Sequence, residues 1–308
     1  MEDLAGLLAA GERAAFRGSP ASGVAALEQA IELAHATGHP AEAASATWLL
    51  GVCHTAVGRF AAGLEVFATL RAMVVDAVEP HRYASLAAAA SAAAYRALGQ
   101  HQLARSLDEE ALGLSFGVAA AVFDARLGLA SDAIGLGDPP AATEQLELAS
   151  ELAAARPDWW RQRVRLDWTR AELGIWQGRA GEALGFATAA VKLAEQSGAP
   201  RHVAKSLLFV GVSHVLEGDV QTATVALRRA GRLAENVGAL PVVWPARALL
   251  GRLLAQTDPG ESSRQLASAK SVVERLTADL PEELRWDWLA RPDVADLLGS
   301  QIVAPVRD

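Results

Sequence analysis

Residues 167–200 read DWTRAELGIWQGRAGEALGFATAAVKLAEQSGAP. Two helical patterns lie back to back in this stretch. Trp168, Ala171, Leu173, Ile175 and Trp176 belong to the first, which stops at Gly178. Ala180, Ala183, Leu184, Ala187, Ala190, Val191 and Ala194 belong to the second, which stops at Gly198. Glycine just past a last turn takes the left-handed conformation without a Cβ clash. Pro200 then suits the first turn of another helix, where its missing N–H leaves no bond unmade. The stretch predicts a helical hairpin, and the hairpin recurs.

The inner turns fall at Gly18, Gly58, Gly99, Gly137, Gly178, Gly218 and Asp258, at intervals of 38 to 41 residues. Seven residues before each turn stand Gly11, Gly51, Ala92, Ala130, Ala171, Gly211 and Gly251. Five residues after it stand Gly23, Gly63, Ala104, Ala142, Ala183, Ala223 and Ser263. Every one of these positions is Gly, Ala or Ser. Twelve residues after the turn the column Ala30, Leu70, Ala111, Ala149, Ala190, Ala230 and Lys270 is also mostly small. Short side chains at fixed places let two antiparallel helices approach closely, and a bulky residue there would push the axes apart.

This spacing of small residues around a tight turn, with Gly-Arg-Phe at 58–60 and Gly-Asp-Val at 218–220, resembles the tetratricopeptide (TPR) repeat over roughly residues 3–277. The period near 40 exceeds the usual 34, and the signature Trp, Tyr and Pro are mostly missing, although Tyr95 fits an aromatic position. The long period resembles the helical-repeat regions of bacterial signal-sensing transcription activators. The resemblance implies an all-α, right-handed solenoid of about seven hairpins. Expected repeats cover about 3–38, 39–78, 79–114, 115–156, 157–198, 199–238 and 239–280, within a repeat domain 1–280. Residues 281–308 break the pattern. Leu280, Leu284 and Trp288 share one face there, which predicts a helix capping the last hairpin.

The chain is 308 residues long, 51% hydrophobic and 21% charged, with net charge −8. Stacking lets a solenoid of this length avoid the size limit of a single core. The acidic balance disfavours non-specific nucleic-acid binding. A lone cysteine, Cys53, forms no internal disulfide, and the acidic N-terminus lacks the bases of a signal peptide, so cytoplasm is the expected compartment. No apolar run reaches the length of a membrane span.

No phosphate loop, HExxH, C-x-x-C or Gly-x-Ser-x-Gly motif is present, and no cofactor is expected. His54 and His214 occupy equivalent positions and read as packing residues. An enzyme would need a site assembled across repeats, with Glu12, Asp124, Arg165 and Glu172 as candidates. The inner face implied by the TPR resemblance lies thirteen, ten, six, three and two residues before each turn. It selects Trp48, Arg96, Asp124, Arg165, Trp168, Glu172, Trp176, Lys205 and Arg252 as candidate contacts. Arg165, Trp168 and Glu172 step by three and four along one stripe. Tryptophan and arginine concentrate binding energy when desolvated, yet Trp168 and Trp176 could equally fill space between hairpins. A second group, Arg156, Trp159, Trp160, Arg161, Arg163, Arg165 and Arg170, interleaves arginines with aromatics, a pattern able to grip phosphates and stack on bases; in this acidic chain it reads rather as a solvated face partnered by Asp158 and Asp167. The expected function is a non-enzymatic scaffold holding a peptide or protein segment in a bacterial regulatory or assembly role. The alternative is a sensor enclosing a small molecule against the central tryptophans.

Overall fold

A computed structural model describes residues 3–73 and 80–299. The expected junction of the second and third repeats near 78–79, and the tail beyond 299, lie outside them. Among the described residues there are sixteen α-helices and no strand. The first fourteen helices form seven antiparallel hairpins. They are α1 (Leu4–Arg17) with α2 (Val24–Thr37), α3 (Pro40–Val57) with α4 (Phe60–Met73), α5 (Pro80–Ala97) with α6 (His101–Leu114), and α7 (Ala119–Gly135) with α8 (Pro139–Ala154). There follow α9 (Trp160–Trp176) with α10 (Ala180–Gln196), α11 (Pro200–Glu217) with α12 (Val220–Asn236), and α13 (Leu240–Leu254) with α14 (Pro259–Ala278). Two short helices, α15 (Glu282–Ala290) and α16 (Pro292–Leu298), end the described chain. The odd helices α1 to α13 pack on one another in order and form a continuous inner lane.

The small-residue columns explain the hairpins. Gly11 faces Leu27, Gly51 faces Phe67, Gly211 faces Leu227 and Gly251 faces Leu266, each pair so close that a methyl group on the glycine would overlap the partner side chain. Leu27, Phe67 and Leu227 are each 0% exposed. A large knob from the outer helix thus fills the hole left by a glycine of the inner one. Repeat five uses a thinner version, in which Ala171 meets Ala183 and Ala187. The turns at Gly58, Gly99, Gly137, Gly178 and Gly218 are left-handed, with φ between 70° and 92°. Gly18 differs: its φ is −134°, and the chain passes through a 3-10 turn at Pro20–Gly23 before α2 begins. Gly23 there rests against Ala14 and the backbone of Gly11.

Periodicity alone does not reveal that the solenoid closes on itself. The turn at Gly58 rests on Leu240, Pro241 and Leu276 of the seventh hairpin. Phe60 and Leu98 share one apolar cluster with Trp244, Val273, Leu276 and Trp288. Ser19 donates a hydrogen bond to the Val237 carbonyl at 3.3 Å. The helices α15 and α16 pack on α14 and also reach the third hairpin. Arg291 donates to the Ala97 carbonyl, the Gln100 amide donates to Asp287 at 2.7 Å, and Trp288 is 1% exposed. The inner lane is consequently surrounded by its own repeats.

Candidate functional site

The inner lane carries a chain of charged side chains across four repeats. Arg96 of α5 binds two carboxylates: it pairs with Asp108 of α6 and donates from Nε to Asp132 of α7 at 2.7 Å. Asp108 stands nine residues after its turn, where other repeats place Leu27, Phe67, Leu146 and Leu227. A carboxylate thus replaces a core knob. It fits because Gly128 of α7 has no side chain to collide with it. Burial pushes the Asp108 carboxyl well above the usual range, with Arg96 pulling the other way.

One repeat further, α9 and α11 lie side by side. Arg165 donates to Asp124 of α7 at 2.5 Å. The Trp168 ring stacks on His202 with centroids 5.3 Å apart, and its indole N–H donates to Ser206 Oγ at 2.7 Å. Lys205 Nζ sits 4.6 Å from the Trp168 centroid, a cation–π contact that gains strength when desolvated. Trp160 also meets the His202 ring, edge-on, with centroids 5.2 Å apart. Arg161 lies over the Phe16 ring at 4.8 Å and the Trp48 ring at 5.6 Å, bridging the fifth repeat to the first two.

Burial sets the electrostatics of this centre. It pushes the Lys205 ammonium down to about 8, against the opposing pull of Glu172. It raises the Glu172 carboxyl, which Lys205, Arg96 and His101 hold back. It lowers Arg161 and Arg201 to about 10 each; neighbouring arginines add to the shift of both, while Asp124 and Glu12 oppose it at Arg161 and Cys53 at Arg201. His202 is pushed well below its ordinary value by burial and by the surrounding cations, so its ring is neutral at pH 7.

The candidate residues divide. Arg165, Trp168, Glu172 and Lys205 come together between α9 and α11, with Asp124 joined through Arg165 and Arg96 adjoining through its field on Glu172 and Lys205. Trp168 is 7% exposed and packs between its neighbours. Trp48 is half-buried against Phe16 and Arg161. Trp176 stands apart at the end of α9, 50% exposed. Arg252 is on the rim, paired with Asp296 of α16. The expected solvated face on α9 needs correction. Arg156 and Arg163 are exposed and Asp167 pairs with Arg170 at 3.7 Å, but Arg161 and Arg165 turn inward and Trp160 packs between two clusters. Arg201 and His202 are absent from the candidates read off the sequence, and Trp160 and Arg161 stand there only in the group read as a solvated face. A signal existed, because Arg161 and Arg201 each stand seventeen residues before their turns, one helical step beyond the column that selects Arg165 and Lys205.

A separate groove of about 530 Å³ lies on the outer side, between α8, α9 and α10. Leu146, Ser150, Leu173 and Phe186 line it, with Glu147 and Glu182 among its charged residues. Among the described residues no helix is long and apolar enough to cross a membrane.

No family model and no curated protein matches the chain in sequence. Solved structures do match it in fold. The APC/C hetero-tetramer Cut9–Hcn1 aligns with a TM-score of 0.62 at 16% identity over 96% of this chain, which spans 47% of the matched one. A Rap protein complexed with Competence and Sporulation Factor aligns with a TM-score of 0.59 at 12% identity, covering 96% of this chain and 97% of that one. NprR in complex with its cognate peptide NprX aligns with a TM-score of 0.62 at 14% identity, covering 90% and 83%. The chain therefore has the fold of a TPR-like helical-repeat solenoid.

Proposed function

We propose that this solenoid is a binding scaffold that takes a peptide or protein segment against its inner lane, in a bacterial regulatory or assembly role. One observation carries the reading. Arg96 on α5, Arg161, Arg165 and Glu172 on α9, and Arg201 and Lys205 on α11 lie half-buried on three inner helices, where a solenoid built only for stability would place apolar side chains. Burying charge costs several kcal/mol per group unless partners compensate it. Such a cost is borne at sites that recognise something. Inner helices also offer contacts from several repeats at once to an extended guest. The similarity to NprR, whose structure holds a peptide, agrees with this class of guest.

The test is a selection of displayed random twelve-residue peptides on the immobilised 308-residue chain. A related set of sequences should be enriched, and Glu172→Gln combined with Lys205→Gln should abolish that enrichment. Glu147→Gln in the outer groove should leave it intact. Enrichment that survives the inner substitutions and fails with Glu147→Gln would move the binding face to the outer groove. Failure to enrich any peptide would end the peptide reading.

A further inference from the structure

Four cations of the inner lane form a regular block. Arg161 and Arg165 stand four residues apart on α9, and Arg201 and Lys205 stand four apart on α11, in the same two columns of consecutive repeats. Residues four apart share a helix face, and α9 packs directly on α11. The block is thus two cations wide and two deep.

Its compensation is uneven. Arg165 has Asp124 at 2.5 Å, and Glu172 is the largest charge opposing the loss of the Lys205 proton. Among the described residues, Arg161 and Arg201 have no ion-pair partner. Arg161 is held by the Phe16 and Trp48 rings. Arg201 Nε is buried and makes no hydrogen bond, and neither does Nδ1 of its neighbour His202, a residue 1% exposed between Trp160 and Trp168.

The backbone adds to this positive field. Arg161 and Arg201 are both second residues of their helices, and neither first turn contains an acid. A helix N-terminus carries partial positive charge and unsatisfied N–H groups, so anions are favoured there and cations disfavoured. Two adjacent helices both place arginine where carboxylates are the usual choice. Both arginines also press on the neighbouring cations. A guanidinium pair with free donors beside two helix starts matches an oxyanion, which accepts paired N–H donors from arginine.

We propose that the guest of the inner lane is a peptide anchored by an oxyanion, a side-chain carboxylate or a phosphate ester, seated between Arg161 and Arg201 with Arg165 and Lys205 one turn deeper. This rests on the peptide-binding reading above and specifies what that peptide must carry. A nucleic acid fits less well. Its phosphates need an extended basic surface, whereas this block is enclosed by repeats of a chain with net charge −8.

The same display selection tests it, run on the wild-type chain, on Arg161→Met/Arg201→Met, and on Arg161→Lys/Arg201→Lys, with circular dichroism confirming that each is folded. The wild type should enrich Asp and Glu at a fixed peptide position at least threefold over the starting library. The Met pair should lose that preference and the Lys pair should keep part of it. Titration of a selected peptide, and of the same peptide with phosphoserine at that position, by isothermal calorimetry then separates the two sources: the tighter of the two names the anchor. Enrichment of peptides without acidic preference would overturn the oxyanion anchor and leave peptide binding standing. The same holds if the acidic preference survives in the Met pair. No enrichment on any chain would remove both readings together.

Discussion

Replacing Lys205 by Met should make the protein more stable at neutral pH. The ammonium is half-buried on α11, and burial brings it from an ordinary 10.5 to about 8. At about 1.4 kcal/mol per unit, keeping it charged at pH 7 costs the fold up to about 3 kcal/mol. Two losses oppose the gain. The cation–π contact with Trp168 contributes about 1 kcal/mol, although Met retains a favourable contact with the ring. Glu172 loses the cation that most favours its ionised form, which leaves its burial less compensated. The net gain should be about 1–2 kcal/mol at pH 7. The penalty fades with pH in a definite window. A lysine whose folded value is lowered carries its penalty in full below about 8 and sheds it as pH rises toward 10.5. The advantage of Lys205→Met should therefore shrink between pH 8 and pH 10. Urea denaturation followed by circular dichroism at pH 7, 8.5 and 10, comparing the variant with wild type at each, measures it. A variant less stable at pH 7, or an advantage unchanged at pH 10, would show that burial does not penalise this ammonium.

Three further outcomes follow from the geometry. Burial pushes the Asp167 carboxyl from 3.8 up to about 6, with Arg170 and Arg163 opposing, so its penalty is absent below pH 3.8 and complete above pH 6. Asp167→Asn should accordingly raise stability by about 2 kcal/mol at pH 7 and leave it unchanged near pH 3.5, as read from urea midpoints. Gly128→Ala would place a methyl group on the Asp108 carboxylate and force apart the buried Arg96–Asp108 pair. A loss of about 3 kcal/mol is expected, and a thermal midpoint equal to wild type would refute the close approach. Arg291 donates to the Ala97 carbonyl and lies over the Trp244 and Trp288 rings. Arg291→Ala should cost about 2 kcal/mol and speed amide exchange in α15 and α16 and at the Gly99 turn together; faster exchange in α16 alone would mean that it does not tie the third hairpin to the end of the chain.

Local chemistry made the hairpins legible. A glycine or alanine seven residues before each turn and a small residue five after it report contacts made within one unit of about 40 residues. Gly51 against Phe67 and Gly211 against Leu227 are such contacts. The inner-face columns likewise placed Arg165, Trp168, Glu172 and Lys205 together, because a repeated backbone repeats its directions. The column one step further held Arg161 and Arg201, but these sit in first helical turns, where the inner face had not been extended. Asp108 was unreadable for another reason: an acid in a knob column looks like a surface residue until Gly128 of the next repeat is seen to leave room for it. Closure lies beyond any local pattern. It depends on a small rotation per hairpin accumulated over seven of them, and no single residue encodes that sum. Only in three dimensions do Gly58 and Leu276, or Ala97 and Arg291, become neighbours, and only then does the inner face become an enclosed lane where the charges of Arg161 and Arg201 are costly. The sequence by itself determined the unit and the direction its side chains face; the summed geometry of the units decided which of those side chains are buried together.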